Sequence, residues 1–167
     1  MAIALKKTRS YTPEDGRLQG KSKFWGFSDM PAGMEFPYKD GDPMCFICQI
    51  NLEELHAQAA NATDLNLLPR LGMLYFFAQI DYFLGWSREL EEGIGLWGKD
   101  DADGHKLLGH PFFNEVPAGT SLLQIDEDDD WGLRFFDSGM INFIMDSNSL
   151  AHKDFSKTEL YFHRSGK

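Results

Sequence analysis

At 167 residues, with 43% apolar and 14% aromatic residues, the chain has the size and material for one folded domain with a packed core. Its formal net charge of -10 sets the surface against phosphate backbones and anionic lipid headgroups, which argues against nucleic acid and membrane and leaves a protein partner, a cation or a neutral ligand. No apolar run nears the roughly 18 residues of a membrane span, AIAL near the N-terminus is too short for a secretory core, and Cys45 and Cys48 are the only cysteines, so a cytoplasmic location is expected.

Residues 1–20 are polar and turn-rich, with Pro13, Asp15 and Gly16, and read as a loosely held arm before a single domain over 21–167. Within GRLQGKS only three residues separate the glycines, one short of a phosphate-cradling loop, and no strand precedes it. From Lys21 to Pro43 glycines and prolines interrupt an aromatic segment so often that no helix can form. MCFICQI, from Met44, reads as a buried strand. Asn51 then offers a cap, Glu53 and Glu54 fall in a first turn, and Leu52, Leu55, Ala59 and Ala62 recur at helical spacing, which predicts a helix over 52–61. GMLYFFAQIDYF, 72–83, reads as a second buried strand, and a glycine-rich, charged connector follows over about 85–108. HPFFNEVPAG leads to a strand in SLLQID, an acidic loop comes next, LRFF has the composition of a short strand, and GMINFIMD that of a last long one.

One pattern occurs twice. A strand ends in Gln49-Ile50-Asn51 and another in Gln124-Ile125-Asp126, and each is followed after an insert by a strand led by Gly-Met, at Gly72-Met73 and Gly139-Met140. The expectation is an α+β fold of largely antiparallel sheet with few helices, in two related halves of about 21–84 and 109–160. Both glutamines are expected to bond backbone groups of a neighbouring segment, because a buried amide must find partners.

The ordered series KFWGFSDMPAGMEFPYKDGDPMCFICQINLEEL, LPRLGMLYFF, GHPFFNE, SLLQIDEDDDWG and DSGMINFIM resembles the YwqG-like family of bacterial proteins of unknown function, from about residue 22 to 160. The chain departs from that pattern at Phe27-Ser28-Asp29, where a proline is expected, at Phe36 in place of a tryptophan, and in its short connector. The resemblance implies an α+β fold rich in antiparallel sheet and carries over no catalytic residue.

The chemistry-bearing residues are few. Asp126, Asp128 and Asp130 have the spacing of the first ligands of a calcium loop, but Trp131 stands where the turn glycine belongs and strands flank the run, so a solvated acidic turn is the first expectation and a metal site the second. Cys45 and Cys48, three apart in a strand, should point to opposite faces as inert thiols. A hydrolytic or metal-dependent enzyme using His110 and Asp126 is the alternative, with no nucleophile in the sequence to complete the pair. The first-ranked reading is a non-catalytic binding or protein-interaction domain without a cofactor. Its face would use the aromatic loop, Trp25, Phe36 and Tyr38, and the acidic loop with its neighbours, Asp128, Asp130, Trp131 and Arg134.

Overall fold

The structure is a computed structural model that describes residues 2–6, 16–79, 104–111, 119–128 and 139–164, together with the backbone of 92–93. The strand expected at 133–136, most of the connector, and Asp130, Trp131 and Arg134 lie outside these residues.

Among the described residues a six-stranded sheet, a three-stranded sheet, a two-stranded ribbon and two short helices make an α+β fold of mostly antiparallel pairing. In the first sheet β2 (Lys23–Phe24), β5 (Cys45–Asn51) and β6 (Met73–Ala78) lie in that order. A separate ribbon joins β3 (Tyr38–Lys39) to β4 (Asp42–Pro43). The second sheet runs β1 (Ile3–Ala4), β8 (Lys106–Leu107), β9 (Thr120–Asp126), β10 (Gly139–Met145), β11 (Glu159–Arg164) and β7 (Glu92–Gly93). Among the described residues, only the β11–β7 pair is parallel. The expectation of a loose N-terminal arm needs correcting at its start, since Ile3 pairs with Leu107 and packs on the core.

The first helix, α1 (Leu52–Gln58), starts as expected, with Asn51 Oδ1 accepting from Glu54 N at 3.1 Å. It stops three residues short of the expected end. Ala59 caps it, and a 3-10 turn over Thr63–Leu67 takes over, so Leu65 and Leu68 reach the core where Ala59 and Ala62 are only half buried. The second helix, α2 (Ser147–Ala151), is capped by Asp146, whose carboxylate accepts from Asn148 N and Ser149 N at 3.0 Å each.

The central strand pairs of the two sheets have the same register. Asn51, Ile50, Gln49 and Cys48 face Met73, Leu74, Tyr75 and Phe76, as Asp126, Ile125, Gln124 and Leu123 face Met140, Ile141, Asn142 and Phe143. Each pair then skips one residue, Ile47 in β5 and Leu122 in β9, before pairing resumes. The skipped residue's carbonyl has a use in both sheets. Ile47 O accepts from Trp25 N at 2.9 Å and Leu122 O from Leu108 N at 3.3 Å, and these two acceptors anchor a left-handed turn with φ of 60° at Trp25 and 59° at Leu108. A glycine in the same region follows each, Gly26 and Gly109.

The bulge also corrects the reading of the cysteines. Cys48 pairs with Phe76 and Cys45 with Ala78, two residues apart on β6, so the inserted Ile47 brings both thiols to one face. Neither is in a disulfide, and burial pushes the Cys48 thiol well up from its ordinary range.

A single apolar cluster takes residues from both sheets, including Ile47, Ile50, Leu74 and Phe76 from one and Leu123, Ile125, Ile141 and Phe143 from the other. Phe76 and Phe143 meet edge to face with centroids 5.1 Å apart.

Candidate functional site

Cross-strand pairing sets a polar row on each sheet. Lys23, Gln49 and Tyr75 are neighbours in the first; Lys106, Gln124, Asn142 and Tyr161 are neighbours in the second. Gln49 and Gln124 are fully buried, and each donates to the carbonyl two residues before its paired lysine: Gln49 Nε2 to Lys21 O at 2.8 Å, Gln124 Nε2 to Gly104 O at 3.1 Å. Both therefore bond a neighbouring backbone segment, as their recurrence at a strand end predicts.

In the first sheet Asp29 closes the row. Lys23 Nζ reaches its Oδ1 at 2.8 Å, Gly20 N its Oδ2 at 2.8 Å and Gln49 Nε2 its Oδ2 at 2.6 Å. Its backbone N donates to Gln49 Oε1 at 2.9 Å, and its carbonyl accepts from the Tyr75 hydroxyl at 2.8 Å. Burial by itself would raise the Asp29 carboxyl, but Lys23, Gln49 and Gly20 together hold it below its ordinary value. The Tyr75 hydroxyl is shifted the other way, by burial and by the Asp29 charge. In the second sheet Ser121 Oγ donates to Asn142 Oδ1 at 3.0 Å, while Asn142 Nδ2 is buried without a partner.

The acidic loop begins as a strand end. Asp126 N donates to His105 Nδ1 at 3.2 Å, the position Ser22 Oγ takes for Asn51 N at 2.9 Å. Asp126 Oδ2 accepts from Gly104 N at 3.2 Å and Oδ1 from Glu127 N at 2.8 Å, and Asp128 Oδ2 lies 3.2 Å from His105 Nε2. Among the described residues no three potential metal ligands come together. His110 is exposed and makes no hydrogen bond to Asp126; the imidazole that meets this loop is that of His105. With Nδ1 accepting a backbone proton, the ring proton sits on Nε2 and points at Asp128, so neither nitrogen is left to act as a base.

The three aromatic-loop residues separate. Trp25 is half buried against the core, whereas Phe36 and Tyr38 are exposed, at 40% and 65%. Phe36 stands edge-on to Phe77 with centroids 5.3 Å apart and to Tyr38 at 6.3 Å. Phe77 in turn lines a cleft of about 610 Å³, walled by Leu74, Tyr75, Phe76 and Gln79 on one side and by Phe143, Leu160 and Tyr161 on the other. Gln79 also lines the cleft, and its side-chain carbonyl oxygen is buried with no donor among the described residues. This volume is in the usual range for a small-ligand or short-peptide site.

A family model described as a domain of unknown function, DUF1963, matches residues 22–95 and again residues 86–162. The chain belongs to the DUF1963 family. No curated protein matches it. One polar row falls within each DUF1963 match, Lys23 to Tyr75 in the first and Lys106 to Tyr161 in the second, and the cleft draws its walls from both. No helix among the described residues is long and apolar enough to cross a membrane.

Asp29, His105 and Gln79 escape a reading by motif. For Asp29 a signal exists within the DUF1963 matches: Asp29-Met30-Pro31-Ala32-Gly33 is echoed by Glu115-Val116-Pro117-Ala118-Gly119. Gln79 carries none, since only the fold buries its carbonyl.

Proposed function

We propose that this chain is a non-catalytic binding protein of YwqG-like, bacterial and cytoplasmic type, built from two copies of one ancestral unit, and that its site is the cleft beside β6. The observation that carries the reading is the cleft's lining, with aromatic walls drawn from both matched segments. Phe36 and Tyr38 extend the aromatic surface outward from Phe77 and supply contact area at low entropic cost. The shared register of the two strand pairs, bulge included, supports common descent. Asp126 and Asp128 turn their carboxylates toward Gly104 and His105, so the aromatic side is the primary face and the acidic loop a secondary one.

The test is affinity capture from a lysate of the source cells with three baits: the wild type, Phe36→Ser with Tyr38→Ser, and Asp126→Asn with Asp128→Asn. A partner or small molecule retained by the wild type and the loop variant but lost from the aromatic variant is expected. Retention by all three baits, or loss only from the loop variant, would move the site away from the cleft.

A further inference from the structure

Resting on that reading of the cleft, we propose that its ligand is an extended, positively charged peptide segment that adds to β6 as a fourth strand. Among the described residues β6 ends the first sheet, with β5 on one side only. Leu74 and Phe76 belong to the buried face of β6 and Tyr75 and Phe77 to the other, yet all four line the cleft. Side chains alternate along a strand, so only a space that runs along the strand's edge touches four residues in succession. An edge presents a row of main-chain donors and acceptors, which an incoming strand completes and a compact ligand does not.

The opposite wall has the same character. Glu159, Leu160 and Tyr161 line the cleft in succession on β11, and among the described residues β7 pairs with β11 at Phe162 and His163. The cleft is thus bordered by two strand edges. Four β6 residues span about 13 Å, enough for a stretch of roughly four peptide residues. Leu122, Phe143, Phe155 and Leu160 offer apolar contact to every second side chain.

Charge selects the peptide. Glu159 and Lys39 both line the cleft, and the whole chain carries -10, so at longer range a lysine- or arginine-bearing strand is attracted and an acidic one repelled.

The probe is a phage-displayed library of random dodecamers panned against the full chain, with enriched peptides resynthesised and titrated by fluorescence anisotropy. Enriched sequences should alternate apolar residues and carry lysine or arginine. N-methylation of one alternate set of backbone amides should weaken binding about tenfold or more while the other set tolerates it. Glu159→Gln should weaken binding about three- to tenfold, with the circular dichroism spectrum of the protein unchanged. If no peptide is enriched, the peptide class is overturned while a positive capture through Phe36 and Tyr38 still stands. If binding tolerates N-methylation at every position, side chains rather than a strand edge hold the peptide and the proposal fails. If sedimentation shows the protein to be a dimer that each peptide dissociates, the cleft belongs to a second copy and the proposal fails as well.

Discussion

His105 and Ser22 do one job with different chemistry. Each accepts the backbone N–H of the residue that ends a central strand, Asp126 or Asn51, and each is adjoined by an acidic residue from the segment that follows, Asp128 at 3.2 Å from the imidazole and Glu54 at 2.9 Å from Ser22 N. His105→Ala leaves the Asp126 N–H without its acceptor and is expected to destabilise the protein by about 1–3 kcal/mol in urea melts. His105→Ser, which restores the hydroxyl that the other sheet uses, is expected to recover part of that loss. Equal destabilisation by serine and alanine would show that ring packing against Phe24, at 6.4 Å between centroids, is what matters. Asp29 has a pH signature. Its carboxyl is held below the ordinary carboxylate value by Lys23, Gln49 and Gly20 against the opposing effect of burial. Its contribution to stability is therefore complete above that ordinary value and is lost as pH falls through the depressed one. Urea melts of wild type and Asp29→Asn should differ most near neutrality and converge in acid; a constant gap down to the lowest pH would mean that hydrogen-bond geometry, not charge, sets the effect.

At the scale of elements, the long apolar strands were legible because each carries a clear run bounded by turn residues: β5, β9 and β10 lie where the apolar runs predict them, while β6 takes Met73–Ala78 of the expected 72–83, with Gln79 already out of the strand and 80–83 outside the described residues. The α1 cap was legible from Asn51 and the acids after it. Two-residue strands have no period to read, so β2 and β8 were missed although Lys23-Phe24-Trp25-Gly26 and Lys106-Leu107-Leu108-Gly109 share their first and last residues. Bulges were invisible for the same reason: nothing in Phe46-Ile47-Cys48 marks Ile47 as the unpaired residue. The skip had a direct consequence for the site reading, because parity along an unbroken strand sent Cys45 and Cys48 to opposite faces. Of the candidate site, Phe36 and Tyr38 were legible as loop aromatics, whereas the cleft was not, because its walls are strand edges from distant parts of the chain.

On the scale of the molecule, the two sheets share one core. Phe76 packs against Phe143, and Leu65 and Leu68 lie in the same buried cluster as Leu107, Leu122 and Leu150. A fragment of about 60 residues buries too little surface to be more than marginal by itself. Separate fragments 16–79 and 104–164 are each expected to lack a cooperative thermal transition and to regain one when mixed, with near-ultraviolet circular dichroism as the readout. A sharp transition in either fragment alone would mean that the shared core is dispensable for that half.

The matched bulges make β5 and β9 interchangeable as partners. A β10 that met β5 would find the same pairing order, the same skipped residue and apolar side chains on the expected face, so register, which ordinarily rejects a wrong partner, offers little protection against this one. What distinguishes the right partner is proximity along the chain and the residue across the polar row, Tyr75 in one sheet and Asn142 in the other. A crowded ribosome or a concentrated refolding mixture would weaken the advantage of proximity, and strand exchange between neighbouring molecules then becomes the natural route to reversible, native-like oligomers.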